Sequence, residues 1–190
     1  GDFAGQYSLP EKWDTVFSDC LLHVPFILHA PGLSENTGAI DALSDHSDIA
    51  PTLCQLLRIQ PLPGMHGHSL LPLLKSEANG RKAVFADGGH EAEMRSRMDP
   101  EKRDGDKQET YSRFPDAMAR SICVRTHDHK LVHRETGDHE LYALNDDPWE
   151  LKNRFSDPAL APVREDLMQQ LLTWQLHTAT DRPHQSHVGA

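Results

Sequence analysis

The chain has 190 residues, room for one sizeable core or two small ones, and its 37% hydrophobic content lies below the ~45–50% common in compact domains. A net charge of −10 argues against nucleic acid, whose phosphates are bound mainly by clustered Lys and Arg. No run approaches the ~18–20 apolar residues of a membrane span, so a bilayer is not an expected partner either.

Thirteen prolines, twelve glycines and thirteen histidines describe a loop-rich chain. The first twenty residues are polar and mixed, an ordered loop. Leu21 to His29 is a short apolar run with β-branched and aromatic members, closed by Ala30-Pro31-Gly32. It reads as a buried strand followed by a turn. A polar connection over 33–46 leads to Ser47-Asp48-Ile49-Ala50-Pro51, where Ser47 or Asp48 caps a helix and Pro51 sits in its first turn. Ile49, Leu53, Leu56 and Leu57 would form the apolar face of that helix, and Gln60 to Gly64 would stop it. Ser69 to Lys75 makes a second short apolar turn or helix.

Lys82 to Ala86 is the next strand, ending at Asp87-Gly88-Gly89. Residues 90–117 are highly charged without a sustained period, which reads either as disorder or as a long functional excursion. Three strand-like segments follow at 119–126, 130–134 and 140–144. Ile122 and Val124 share one face, and Glu135 to Asp138 supply the turn between the last two segments. Asp147-Pro148-Trp149-Glu150 has the cap, proline and carboxylate of a helix start. Asp157-Pro158 opens the final helix, whose Leu160, Val163, Leu167, Leu171 and Trp174 recur at helical spacing and should lie on the antiparallel sheet. Residues 181–190 are a polar tail.

Cys20, Cys54 and Cys123 are odd in number, widely spaced and without a Cys-x-x-Cys pair, which excludes a structural zinc site built on thiolates. They read as small core residues, and the count fits reduced thiols in a cytoplasmic protein. His66-Gly67-His68 and His127-Asp128-His129 each place two rings on one face if extended, but neither has a third ligand at a defined spacing; they read as surface histidines. His46, His184 and His187 are read the same way. Asp87-Gly88-Gly89 allows close backbone approach before His90. With Glu91, Glu93, Arg95 and Arg97, His90 would shape a pocket suited to an anionic sugar or acid; the alternative is a surface loop of mixed charge.

Taken in order, the motifs carry a resemblance. Gly5-x-x-x-x-x-x-Lys12 precedes Val24-Pro25-x-Ile27 and Pro31-Gly32, and Asp48-Ile-Ala-Pro-Thr-Leu53 follows. Then come Gly64-Met-x-Gly-x-Ser-Leu-Leu-Pro-Leu-Leu74, Val84-Phe-Ala-Asp-Gly-Gly89, Val124-Arg-Thr-x-x-x-Lys130-Leu-Val, Glu140-Leu-Tyr-x-Leu144 and Asp146-x-Pro-x-Glu150-x-x-Asn153. In this order the chain resembles the C-terminal portion of a type I, formylglycine-dependent sulfatase of the alkaline-phosphatase-like superfamily. The resemblance implies an α/β fold, α+β in its C-terminal part. Residues 1–80 would end the catalytic α/β domain, and 81–180 would form a small antiparallel sheet packed with one long helix.

It also implies a parent enzyme that hydrolyses sulfate esters of small molecules or carbohydrates, with a formylglycine nucleophile and calcium or another divalent cation. None of the three cysteines lies in a Cys/Ser-x-Pro/Ala-x-Arg motif, so the nucleophile is expected in an absent N-terminal part. Gly1 resembles the last residue of the family's metal-binding triplet. No metal ligand is therefore expected in this chain, and Asp2 is read as a loop carboxylate. Lys12 matches the family's lysine that pairs a sulfate oxygen and offsets leaving-group charge, although Gln6-Tyr7-Ser8 departs from the histidine-bearing family pattern. The piece alone is expected to be inactive and to associate with the N-terminal part or with itself. A phosphonate or phosphate ester hydrolase of the same superfamily, and a non-catalytic binding module, are the alternative readings.

Overall fold

The computed structural model describes residues 1–13, 15–29, 38–75, 80–90 and 118–179. Its centre is a four-stranded antiparallel sheet in the order β1-β2-β3-β4. The strands are β1 (Val84–Gly88), β2 (Ser121–Arg125), β3 (His129–Arg134) and β4 (Glu140–Ala143). Val124 stands opposite both Phe85 and Leu131, and Leu131 opposite Leu141, so one row of apolar residues crosses every strand. The β3–β4 turn is held by Gly137, at φ +89°, whose N–H donates to the Arg134 carbonyl at 3.1 Å.

The final helix lies on this row as its spacing predicts. Asp157 accepts from the Ala159 N–H at 2.9 Å, Pro158 occupies the first turn, and α4 runs from Ala161–Ala179. Leu167 and Leu171 are buried against Val124, Leu131 and Leu141, flanked by Leu160, Val163 and Trp174. Burying each leucine contributes roughly 1.5–3 kcal/mol. The Trp174 ring stacks on Phe85, with centroids 5.2 Å apart. The opposite face of the sheet is covered by the N-terminal segment, where Phe17 packs on Cys123, Val132 and Ala86.

Three short helices occupy the first half, α1 (Asp19–Leu22), α2 (Ile49–Leu57) and α3 (Leu71–Leu74). Four sequence expectations are corrected here. Residues 21–29 are not a strand: α1 takes their beginning, and no described strand pairs with the remainder, which leaves Phe26 half exposed and Ile27 89% exposed. A strand needs a neighbouring backbone to satisfy its amides, and an apolar run alone does not supply one.

The cap before α2 is Asp45, whose carboxylate accepts from the Ser47 N–H at 2.8 Å at the head of a 3-10 turn, His46–Asp48. Asp48 closes that capping box by accepting from the Asp45 N–H at 3.1 Å. The helix also turns a different face inward. Pro51, Thr52 and Cys54 are buried while Leu53 and Leu57 face outward, because Asp48 and Thr52 are engaged on the inner side. α2 ends on Arg58 in the left-handed region, before the predicted proline stop. Finally, Asp147 to Glu150 form a turn and not a helix start. Glu150 adopts φ +56°, which ends any helix, and its carboxylate points to the sheet.

Candidate functional site

Lys12 lies on an exposed loop whose backbone is unusual for its sequence. Ala4, Tyr7, Ser8 and Thr15 all have positive φ, between +48° and +63°, around Gly5 at +97°. Non-glycine residues pay conformational energy in this region and hold it only where surroundings over-determine them. Local bonds do part of this, with Gly5 N–H donating to the Leu9 carbonyl at 2.9 Å and Gln6 N–H to the Phe3 carbonyl at 2.8 Å. The buried Phe3 ring meets Tyr7 edge-on at 5.9 Å.

The remaining constraints come from residues more than a hundred positions away. Tyr7 Oη donates to the Trp149 carbonyl at 2.5 Å, and Arg134 Nη1 donates to the Thr15 carbonyl at 2.9 Å. Lys130 is fully buried on β3, and its ammonium donates to the Phe17 carbonyl at 2.9 Å, to Asp19 and to Glu150. The other Glu150 oxygen accepts from Ser18 Oγ at 2.7 Å and from the Asp19 N–H at 2.9 Å. Arg125 completes the cluster at 3.1 Å from Asp19. Burial alone would raise the Asp19 pKa, but the charge and hydrogen bonds of Lys130 and Arg125 overcome it and hold the carboxyl below its usual range. Burial pushes the neighbouring Cys123 thiol up to about 12, so it is a neutral core residue.

His90 follows β1 at the edge of the same face. Its N–H donates to the Met118 carbonyl at 2.8 Å, and it bridges in parallel to Ala119. Gly89 has φ +88°, and a Cβ there would sit 2.4 Å from the Ala119 carbonyl oxygen, so the approach requires glycine. Phe17 lies 3.3 Å from the site of a Cβ on Gly88, so the N-terminal segment packs against the end of β1. Arg95, with Glu91, Glu93 and Arg97, lies outside the described residues.

A second polar node organises the first half. Asp48 is fully buried and accepts from Arg81 Nε at 2.9 Å, from a second Arg81 nitrogen, and from the His68 N–H at 2.7 Å. Thr52 Oγ1 donates to the Asp48 carbonyl at 2.6 Å and accepts from the Leu70 N–H at 2.9 Å. A Cβ on Gly67 would overlap the Ser47 carbonyl, which explains the glycine of that motif. Burial raises and the Arg81 bond, with the His68 and Asp45 amides, lowers the Asp48 pKa; the net direction is down. Asp48 is a structural carboxylate. Sequence reading passed over Asp48, Lys130, Glu150 and Arg81 as site-builders, although each stands inside or beside a quoted motif.

Asp2 accepts from the Phe3 N–H at 2.8 Å, and no group of three or more metal-ligating side chains occurs among the described residues. His66, His68 and His127 are exposed, and His129 is half-buried on β3. The described arrangement offers an anchored loop that bears Lys12.

Comparison with known proteins gives this arrangement a context. No family model matches the chain. It is 25% identical over 179 residues to an N-acetylglucosamine-6-O-sulfatase of Bacteroides thetaiotaomicron, covering 90% of this chain and 28% of that enzyme. A solved structure assigned as a sulfatase from the same organism covers 95% of this chain and 35% of its own, with 25% identity and a TM-score of 0.73. A phosphonate monoester hydrolase of Agrobacterium radiobacter is 27% identical and covers 73% of this chain and 26% of its own, with a TM-score of 0.55. The chain is thus similar in sequence and fold to the C-terminal portion of sulfatases of the alkaline-phosphatase-like superfamily, and spans about a third of their length or less.

Proposed function

We propose that this chain is part of a sulfate-ester hydrolase acting on a sulfated small molecule or carbohydrate. In this reading Lys12 pairs a sulfate oxygen and offsets charge on the leaving oxygen as the ester bond breaks. The formylglycine nucleophile and a divalent cation such as calcium belong to residues outside this chain. The observation that carries the reading is the match along 95% of the chain to a solved sulfatase-type structure. His90, which follows β1, and Arg95, outside the described residues, are proposed to line the substrate side of the site.

The exposed Leu22, Phe26, Ile27, Leu53 and Leu57 support the same reading. Large apolar side chains grouped on one half of a chain that covers 28% of a relative suit contact with the remainder of that enzyme, or with a second copy. The test has two arms. This chain alone, with an aryl sulfate and calcium, is expected to show no turnover, and clear activity would overturn the assignment of the nucleophile elsewhere. A longer protein carrying a Cys/Ser-x-Pro/Ala-x-Arg segment is expected to hydrolyse the sulfate, with kcat falling roughly 10²–10³-fold in Lys12→Ala. The similarity to a phosphonate monoester hydrolase favours a second reading, tested by comparing kcat/KM for an aryl sulfate and an aryl phosphonate monoester. A larger value for the phosphonate would select it.

A further inference from the structure

We propose that Glu150, acting with Lys130, is the positioning residue for Lys12, so that the turn after β4 sets the geometry of the sulfate-binding lysine from the far end of the chain. The inference rests on the reading of Lys12 given above. Its basis is the pairing of a strained loop with anchors on both sides of the lysine. Before Lys12, three non-glycine residues lie in the left-handed region, Ala4, Tyr7 and Ser8, and Tyr7 reaches the Trp149 carbonyl at 2.5 Å. After it, Ser18 Oγ and the Asp19 N–H converge on one Glu150 oxygen at 2.7 and 2.9 Å. The two anchors are adjacent residues of a single turn.

That turn is itself fixed. Glu150 has φ +56°, and its second oxygen takes the buried Lys130 ammonium, which also holds the Phe17 carbonyl at 2.9 Å. Asp147 holds the turn from below, accepting from the N–H groups of Leu151 at 3.0 Å and Lys152 at 2.8 Å. A charge that must meet one oxygen of a substrate gains from a backbone that does not move. A carboxylate whose side chain is only 5% exposed, spent on two groups of the lysine's own loop, supplies that rigidity. Glu150 touches no reacting atom in this arrangement; it acts through the loop.

The test uses Glu150→Gln and, as a milder cut made at the surface, Tyr7→Phe. Amide hydrogen exchange of the full chain is expected to quicken at least ~10-fold over residues 5–19 in both variants, the order of one lost hydrogen bond to a charged group or short contact. Amides of β2 and β3 should exchange as before in Tyr7→Phe, and in Glu150→Gln, which also weakens the buried Lys130 pair, they should quicken less than those over 5–19. In the longer, active protein, Glu150→Gln is expected to lower kcat for an aryl sulfate at least ~10-fold, with a smaller change in KM. The double variant Lys12→Ala/Glu150→Gln should be no slower than Lys12→Ala alone. Unchanged exchange over 5–19 in both variants, or fully multiplicative losses in the double variant, would overturn the inference. Unchanged turnover in Lys12→Ala would instead remove the reading of Lys12 on which it stands, and the exchange arm separates that failure from a failure of the anchor.

Discussion

Replacing Lys130 by methionine tests the buried cluster most directly, because methionine keeps the stem's volume and removes only the ammonium. Lys130 is fully buried and donates to Phe17, Asp19 and Glu150. Three lost charge-assisted bonds at ~1.5–3 kcal/mol each would sum to about 4.5–9 kcal/mol. The structure argues for less. Asp19 keeps Arg125 at 3.1 Å, and Glu150 keeps Ser18 Oγ and the Asp19 N–H, so neither carboxylate is left bare. The expected loss is therefore the ~3–5 kcal/mol typical of breaking a buried pair, a large part of the ~5–15 kcal/mol that holds a domain together.

Urea unfolding at pH 7, followed by tryptophan fluorescence, measures this difference. A second substitution, Glu150→Gln on the methionine background, should restore part of the loss by removing the uncompensated charge. The pH dependence has a defined sign. Asp19 is depressed in the folded state, so its contribution is present above its ordinary value of 3.8 and is lost as pH falls through its folded value. Without Lys130 the depression shrinks, and the gap between wild type and variant should narrow below about pH 4. A loss under ~1 kcal/mol, the size expected of a solvent-screened pair, would refute the view that the cluster is a buried structural node.

Other expectations follow from the same packing. Leu171→Ala should cost ~2–5 kcal/mol in urea unfolding by opening a cavity under α4, whereas the exposed neighbour Leu172→Ala should stay within about 0.5 kcal/mol. His133 stacks on His139 at 4.2 Å, and its Nδ1 is buried without a hydrogen-bond partner among the described residues. Burial, then the charge of His139, lowers its pKa, so its contribution is complete above about 6.5 and is lost as pH falls below that value. Unfolding midpoints at pH 7.5 and 5.5 should therefore draw closer in His133→Phe. Iodoacetamide should label the half-buried Cys20 in the folded chain and reach Cys123, with its thiol pushed up to about 12, only after unfolding.

The C-terminal meander and its helix were readable from sequence because local signals and tertiary packing agree there. Leu160, Val163, Leu167, Leu171 and Trp174 recur at helical spacing, and that stripe packs against the sheet. Ser47 and Asp48 misled as caps because a half-buried arginine, Arg81, draws the Asp48 carboxylate inward, and the cap falls to Asp45. The run from 21 to 29 misled because hydrophobicity states a wish for burial without naming the neighbour, and no described strand pairs with it. Asp147-Pro148-Trp149-Glu150 carries every mark of a helix start. What overrides it is a tertiary bond, since Glu150 serves Lys130 and Ser18. Position within a motif showed that these residues matter; only three-dimensional contact distinguishes a structural carboxylate from a chemical one.

The pattern of burial orders these observations. Asp48 and Lys130 are wholly buried, while Ile27, Leu53 and Leu57 face outward. A polar group is buried at a cost unless fully bonded, so each node fixes its surroundings to one arrangement, and a half-bonded alternative is excluded by energy. The nodes join segments that are distant in sequence: Asp48 ties α2 to the loop before α3 and to the approach of β1, and Lys130 ties β3 to α1 and the turn after β4. Among the described residues, exposed large apolar side chains occur on both halves, with Trp149, Leu151, Leu172 and Leu176 following β1. The apolar row under α4 holds the C-terminal half together, and buried charge ties the first half to it. The Lys12 loop stands at the junction of the two, strained in its backbone and gripped at both ends by one turn from the opposite end of the chain.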